Sequence, residues 1–207
     1  MTPKQYYNAL LARKLLEEFA KRNIEGHYFP TKEEALKKTL ELIPKGSTVS
    51  CGGSATLREL GLRAALKSGG YDFWDPDDAQ GAAAKEEVAR RALGADYYLM
   101  SANAIAATGE LVNIDGYGNR VASLIFGPKN VIVVAGINKV APSLDAALLR
   151  AKTRAAPITL LIFRQDYSSY DELSQAAESA CAQLVVTGMS MTPGRIKVIL
   201  VGESLGY

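Results

Sequence analysis

The feature that most constrains this chain is the run "NVIVVAG", Asn130–Gly136. After its first residue every side chain is apolar or absent, with no polar alternation. Successive residues of a strand face opposite sides of a sheet, so this strand needs apolar cover on both faces. That condition is met inside a parallel sheet clothed by helices. The rest of the chain fits the same plan. Short strand-like stretches ("IEGHYF", "STVSC", "YDFWD", "ADYYLM") alternate with helical ones, which is the signature of α/β architecture. The expected fold class is therefore α/β, with a Rossmann-like, mostly parallel sheet covered by helices.

Helix boundaries are written in capping chemistry. Thr2-Pro3-Lys4-Gln5 has a capping Thr, a first-turn Pro and a Gln three residues on. Tyr7, Leu10, Leu11, Leu15 and Phe19 then mark one face of a helix over residues 3–22. Thr31 and Glu34 form a second capping box, opening a helix to about Leu42. "SATLRELGLRAALKSGG" reads as a single helix closed by Gly69-Gly70. Further helices run from about Gly81 to Gly94, from near Ser143 through "LDAALLRAKTRAA", and over "SSYDELSQAAESACA". "ITLLIF" (Ile158–Phe163) fits a strand or a buried helix, while "QLVVTG" and "RIKVILVGE" fit strands. With no internal repeat or low-complexity linker, residues 1–207 form one expected domain, with the helix over 3–22 packed on it. The closing "VGESLGY" is apolar enough to dock.

Composition excludes several functions. Lys and Arg number 24 against 22 Asp and Glu, a formal charge of +2, and no basic block marks nucleic acid or an anionic membrane as a partner. The apolar runs are too short to span a bilayer, and the charged N-terminal stretch lacks the core of a signal peptide. Cytoplasmic location is the default expectation. Two cysteines, Cys51 and Cys181, and one histidine, His27, cannot supply a disulfide framework, an iron–sulfur cluster or an obvious metal site. No cofactor and no metal are expected.

Two stretches at strand ends carry the candidate chemistry. In "STVSCGGSATLRELG" a strand runs into Gly52-Gly53, and Ser54 and Thr56 stand where a helix begins. Backbone N–H groups approached closely at such a start suit an anion. The alternative is a plain turn in which Thr56 and Glu59 form a capping box. Cys51 beside the glycines is either an activated thiol or buried filler. In "SANAIAATGELVNIDGYGNR", Ser101, Asn103 and Thr108 follow a strand, where open α/β sheets place their ligands. "ELVNI" then reads as a strand that "DGYGN" turns back into "RVASLIF", a β-hairpin insertion. Turn chemistry accounts for Asp115, Gly116, Gly118 and Asn119, but not for Glu110, Asn113 and Arg120.

"GGSATLRELG", "SANAIAATGELVNIDGYGNRVA", "GPKNVIVVAGINKV" and the final "VILVGESLGY", in that order, resemble the lactate-utilisation (LUD) domain family over about Lys4 to Tyr207. The resemblance implies a fold related to ribose-5-phosphate isomerases, glucosamine-phosphate deaminases and CoA transferases. It places Gly52, Gly53, Ser54 and Thr56 in the loop that binds phosphate or CoA in those relatives. It also implies a lactate-oxidising system with iron–sulfur oxidoreductase subunits as partners. Members often carry several cysteines before the last strand; here "ACAQLVVTGMSMTPGRI" keeps only Cys181.

Two functions follow as expectations. One is a ligand-binding or accessory component of lactate oxidation to pyruvate. The other is an isomerase- or transferase-like enzyme acting on a phosphorylated, CoA-linked or carboxylate metabolite. For a protein that binds or converts such a metabolite, Glu110 and Asp115 are the acid–base candidates. Ser101, Asn103, Asn113, Asn119, Arg120, Asn138 and Lys139 join the glycine loop in holding a small anionic metabolite. A homodimer is compatible with both.

Overall fold

The computed structural model describes residues 1–207. In chain order the elements are α1 (Pro3–Lys21), β1 (Glu25–Phe29), α2 (Lys32–Glu41), β2 (Thr48–Cys51), α3 (Ala55–Glu59), α4 (Leu62–Ser68), β3 (Asp72–Trp74), α5 (Gly81–Ala92) and β4 (Tyr97–Met100). They continue through β5 (Ala104–Ala106), β6 (Leu111–Asp115), α6 (Asn119–Ile125), β7 (Asn130–Gly136) and β8 (Val140–Ala141). The last are α7 (Leu144–Arg150), α8 (Ala156–Leu160), α9 (Tyr170–Ala180), β9 (Gln183–Thr187) and β10 (Ile196–Val201).

The main sheet has six strands in the order β1-β10-β7-β4-β2-β3, and every adjacent pair is parallel. The apolar run of β7 lies inside it, between β10 and β4. Val131 and Val133 join a core that includes Leu15 and Phe19 of α1. Ile132 and Val134 point the other way, into a core with Leu57 of α3 and Leu62 and Leu66 of α4. Each of these side chains is fully buried, and each such burial stabilises by about 1.5–3 kcal/mol. The unalternating strand is thus the centre of a two-sided core.

A second sheet of four strands, β8-β5-β6-β9, leaves the main one after β4. Here the structure moves the expected hairpin one turn earlier. The antiparallel pair is β5 with β6, closed at Gly109, whose φ of +98° suits glycine. "VASLIF" does not return as a strand. It forms α6, because Asp115 turns its carboxylate onto the next helix, accepting from the amides of Arg120 at 3.0 Å and Val121 at 3.2 Å. An acid capping first-turn amides favours helix.

Two other boundaries differ from expectation. The helix after the glycine loop breaks into α3 and α4 at Gly61, which has φ +74°. "ITLLIF" enters α8, continuing α7 through one π-helical turn over Ala151–Ala155.

Candidate functional site at the carboxyl ends of four strands

β10, β7, β4 and β2 are neighbours in the sheet, so the residues after each converge on one edge of the molecule. Ligands of open α/β sheets bind at this edge. After β2 comes Gly52, where a β-carbon would lie 2.9 Å from Arg120 Cδ and 3.1 Å from the Tyr98 hydroxyl. Only glycine lets Arg120 approach so closely. Gly53 is exposed, with nothing near it. Ser54 is the actual cap of α3, its hydroxyl accepting from the Leu57 amide at 3.3 Å. The Thr56–Glu59 capping box does not form, since Glu59 accepts instead from the Gly206 amide at 2.8 Å.

Arg120 organises the exit from β4. Its guanidinium donates to the Ser101 carbonyl at 2.9 Å, Asn113 Oδ1 at 2.8 Å, Asn103 Oδ1 at 2.8 Å and the Ile114 carbonyl at 2.6 Å. All four acceptors are neutral. The nearest carboxylate oxygen, on Asp115, is 4.0 Å away. Burial works against the arginine's charge, and Asp115 partly offsets it. Asn113 is fully buried, and its Nδ2 has no hydrogen-bond partner. Unpaired buried donors are rare in folded proteins because they cost stability.

Lys139 closes the short turn that follows β7 and is 4% exposed. Its Nζ donates to Thr56 Oγ1 at 2.8 Å and Ser101 Oγ at 3.0 Å, and no carboxylate pairs with it. Burial, reinforced by the charges of Arg150 and Arg120 and opposed by Glu59, pushes its pKa down to about 7. The other lysines with polar partners are unlike it: Lys21, Lys67 and Lys197 each meet a carboxylate, and Lys45, which donates to the Gly69 carbonyl, is exposed.

The LUD domain model matches residues 12–201. The chain belongs to the LUD domain family. A solved DUF162 family protein from Deinococcus radiodurans is similar in fold, with a TM-score of 0.58 at 14% identity, covering 94% of this chain and 98% of that one. None of the curated proteins matches.

In this LUD domain the C-terminal tail lies over the lysine. Thr56 Oγ1 donates to the Leu205 carbonyl at 3.3 Å. Asn138 takes the tail in both directions, accepting from the Leu205 amide at 3.1 Å and donating to the Gly206 carbonyl at 3.1 Å. A β-carbon on Gly206 would stand 2.4 Å from Thr56 Oγ1 and 3.3 Å from Lys139 Nζ. The docking foreseen for "VGESLGY" is thus anchored by Leu205, which is 4% exposed, and its target is the site.

The structure brings Gly52, Thr56, Ser101, Asn103, Asn113, Arg120, Asn138 and Lys139 into one hydrogen-bonded and packed set. Glu110 stands apart. It lies at the turn of the β5–β6 hairpin, about 10 Å along the strand from Asn113 at the ordinary rise per residue. Its carboxylate accepts from Arg22 Nη2 at 2.5 Å and from the Thr108 hydroxyl at 2.5 Å, which ties the hairpin to the end of α1. Asp115 serves the amides of α6, and Asn119 is exposed in that helix's first turn.

Sequence reasoning passed over Arg63 and Arg150. Arg63, with Asp75 and Asp77, ties β3 to the loop through the Gly52 carbonyl at 3.3 Å. Arg150, the last residue of α7, donates to the Asn103 carbonyl at 2.6 Å and the Asn138 carbonyl at 3.2 Å. Both lie in ordinary amphipathic helices, so only the tertiary fold reveals their targets. No three His, Cys, Asp or Glu side chains gather as a metal-binding set, and no helix is long and apolar enough to cross a membrane.

Proposed function

We propose that this protein is a ligand-binding component of lactate utilisation. It holds a small carboxylate or phosphate at the carboxyl ends of β2, β4 and β7, and works alongside iron–sulfur oxidoreductase subunits that carry the electrons. The observation that carries this reading is Lys139, buried against two hydroxyls with no carboxylate to pair with it. A buried cation without an anion is costly. Folds retain such a group where a ligand supplies the missing charge. Arg120 and the unpaired amide of Asn113 support the reading, as does the open approach at Gly53. Serine and threonine hydroxyls around the amine suit the oxygens of a carboxylate or phosphate.

The test is a thermal-shift series with lactate, pyruvate and inorganic phosphate, against chloride at matched ionic strength. A ligand at a hundred times its Kd stabilises the native state by about 2.7 kcal/mol. For a chain of this size that raises Tm by about 5–10 °C. No rise with any of the three anions removes the reading.

A further inference from the structure

We infer that Lys139 is a covalent site for a small 2-oxo acid, its side-chain amine condensing with the ligand's carbonyl carbon to give an imine. The inference rests on the anion-binding reading above and adds chemistry to it. Its basis is a count of donors and acceptors around Nζ. An ammonium group carries three N–H donors and no lone pair. Lys139 has two acceptors in reach, Thr56 Oγ1 and Ser101 Oγ. Thr56 gives its own proton to the Leu205 carbonyl, so toward the lysine it can only accept. Two acceptors satisfy a neutral amine, which donates twice and keeps its lone pair free, whereas the ammonium has one N–H left over for an incoming anion. Burial beside Arg150 and Arg120 favours the neutral form, as desolvated nucleophilic lysines require.

Arg150 supplies the second half of the recognition. Its Nε and Nη1 are held by the Asn138 and Asn103 carbonyls, at 3.2 and 2.6 Å. Nη2 has no protein partner and remains to meet a carboxylate. A ligand with a carbonyl beside a carboxylate would use both groups, the carbonyl at the amine and the carboxylate at the guanidinium. The lone pair of Nζ forms the new C–N bond as the carbonyl π-electrons move to oxygen. The two amine protons leave with that oxygen as water, relayed by the Ser101 hydroxyl, and a C=N bond remains. No oxidant or reductant is consumed, and water reverses the step. Gly206, lying against the amine, must lift for the ligand to enter.

The test uses the intact chain with pyruvate and cyanoborohydride, which reduces an imine to a stable amine. Intact mass and peptide mapping then locate the product. The expected result is one pyruvate-derived substituent per chain, on the peptide containing Lys139, and none with lactate, which has a hydroxyl in place of the keto group. No substituent, or labelling confined to exposed lysines and the N-terminal amine, overturns the inference. The thermal-shift series separates the two readings. Stabilisation by pyruvate and lactate without an adduct removes the imine and keeps the binding site, whereas neither shift nor adduct removes both.

Discussion

Replacing Lys139 with Met should make the protein more stable at neutral pH, and by an amount that depends on pH. Moving the lysine's pKa from 10.5 in water to about 7 in the fold costs on the order of 5 kcal/mol, at about 1.4 kcal/mol per pH unit. The sign follows from proton counts. Between pH 7 and 10.5 the unfolded chain binds a proton at this lysine that the native chain does not, so stability rises with pH across that window. Below pH 7 both states are protonated and the full penalty is present. From pH 7 to 9 the lysine's contribution to wild-type stability should improve by about 2 kcal/mol. Met fills much of the same volume without the amine. It forfeits the bonds to Thr56 and Ser101, worth about 1 kcal/mol each, which leaves a net gain of about 3 kcal/mol at pH 7. The assay is urea denaturation of both proteins at pH 7, 8 and 9, reading the difference between the curves. That difference should shrink as pH rises. Parallel curves, or a variant less stable than wild type at every pH, would refute the reasoning that Lys139 is held as a buried, unpaired base.

Three further outcomes follow from the same geometry. Arg120→Met strips the fork from four neutral acceptors and should cost about 3–5 kcal/mol in urea denaturation; a loss below about 1 kcal/mol would show that water replaces it readily. Gly206→Ala meets both a φ of +58° and a β-carbon 2.4 Å from Thr56 Oγ1, so the tail should detach. Faster removal of the C-terminal residues by carboxypeptidase checks it, and an unchanged rate speaks against the strap. Cys51 is 4% exposed and burial pushes its thiol up to about 12, while Cys181 is partly exposed. A colorimetric thiol titration should find one reactive group in the native protein and the second only in denaturant.

What could be read in advance, and what could not, divides along physical lines. The two-faced apolar strand over Asn130–Gly136 specified a covered parallel sheet, because no half-exposed strand tolerates that sequence. The caps at Thr2, Thr31 and Ser143 fixed helix starts, since each is a local bond between a side chain and an amide three residues on. Local chemistry misled at "DGYGNRVASLIF". Asp-Gly and Gly-Asn suit a hairpin turn, yet Asp115 has a second use as a cap, and α6 wins through it. Closeness in sequence groups Glu110 with Asn113 and Arg120. Its partner, Arg22, lies at the end of α1, 88 residues earlier, a pairing that no local pattern encodes. Its place after a strand end marks Lys139 in the sequence, but its defining property, burial without a carboxylate, exists only once the tail, the glycine loop and α7 have packed around it.

If the carboxyl ends of β2, β4 and β7 form an anion site whose charge comes from Lys139, removing that amine should release the ligand. Calorimetric titration of lactate, pyruvate and phosphate at pH 6.5 into wild type and Lys139→Met tests it most directly, because the variant is expected to be at least as stable as wild type. Wild type should bind at least one anion saturably, and the variant about tenfold or more weakly, a loss of about 1.4 kcal/mol. Equal affinity in both proteins, or binding in neither, would contradict it.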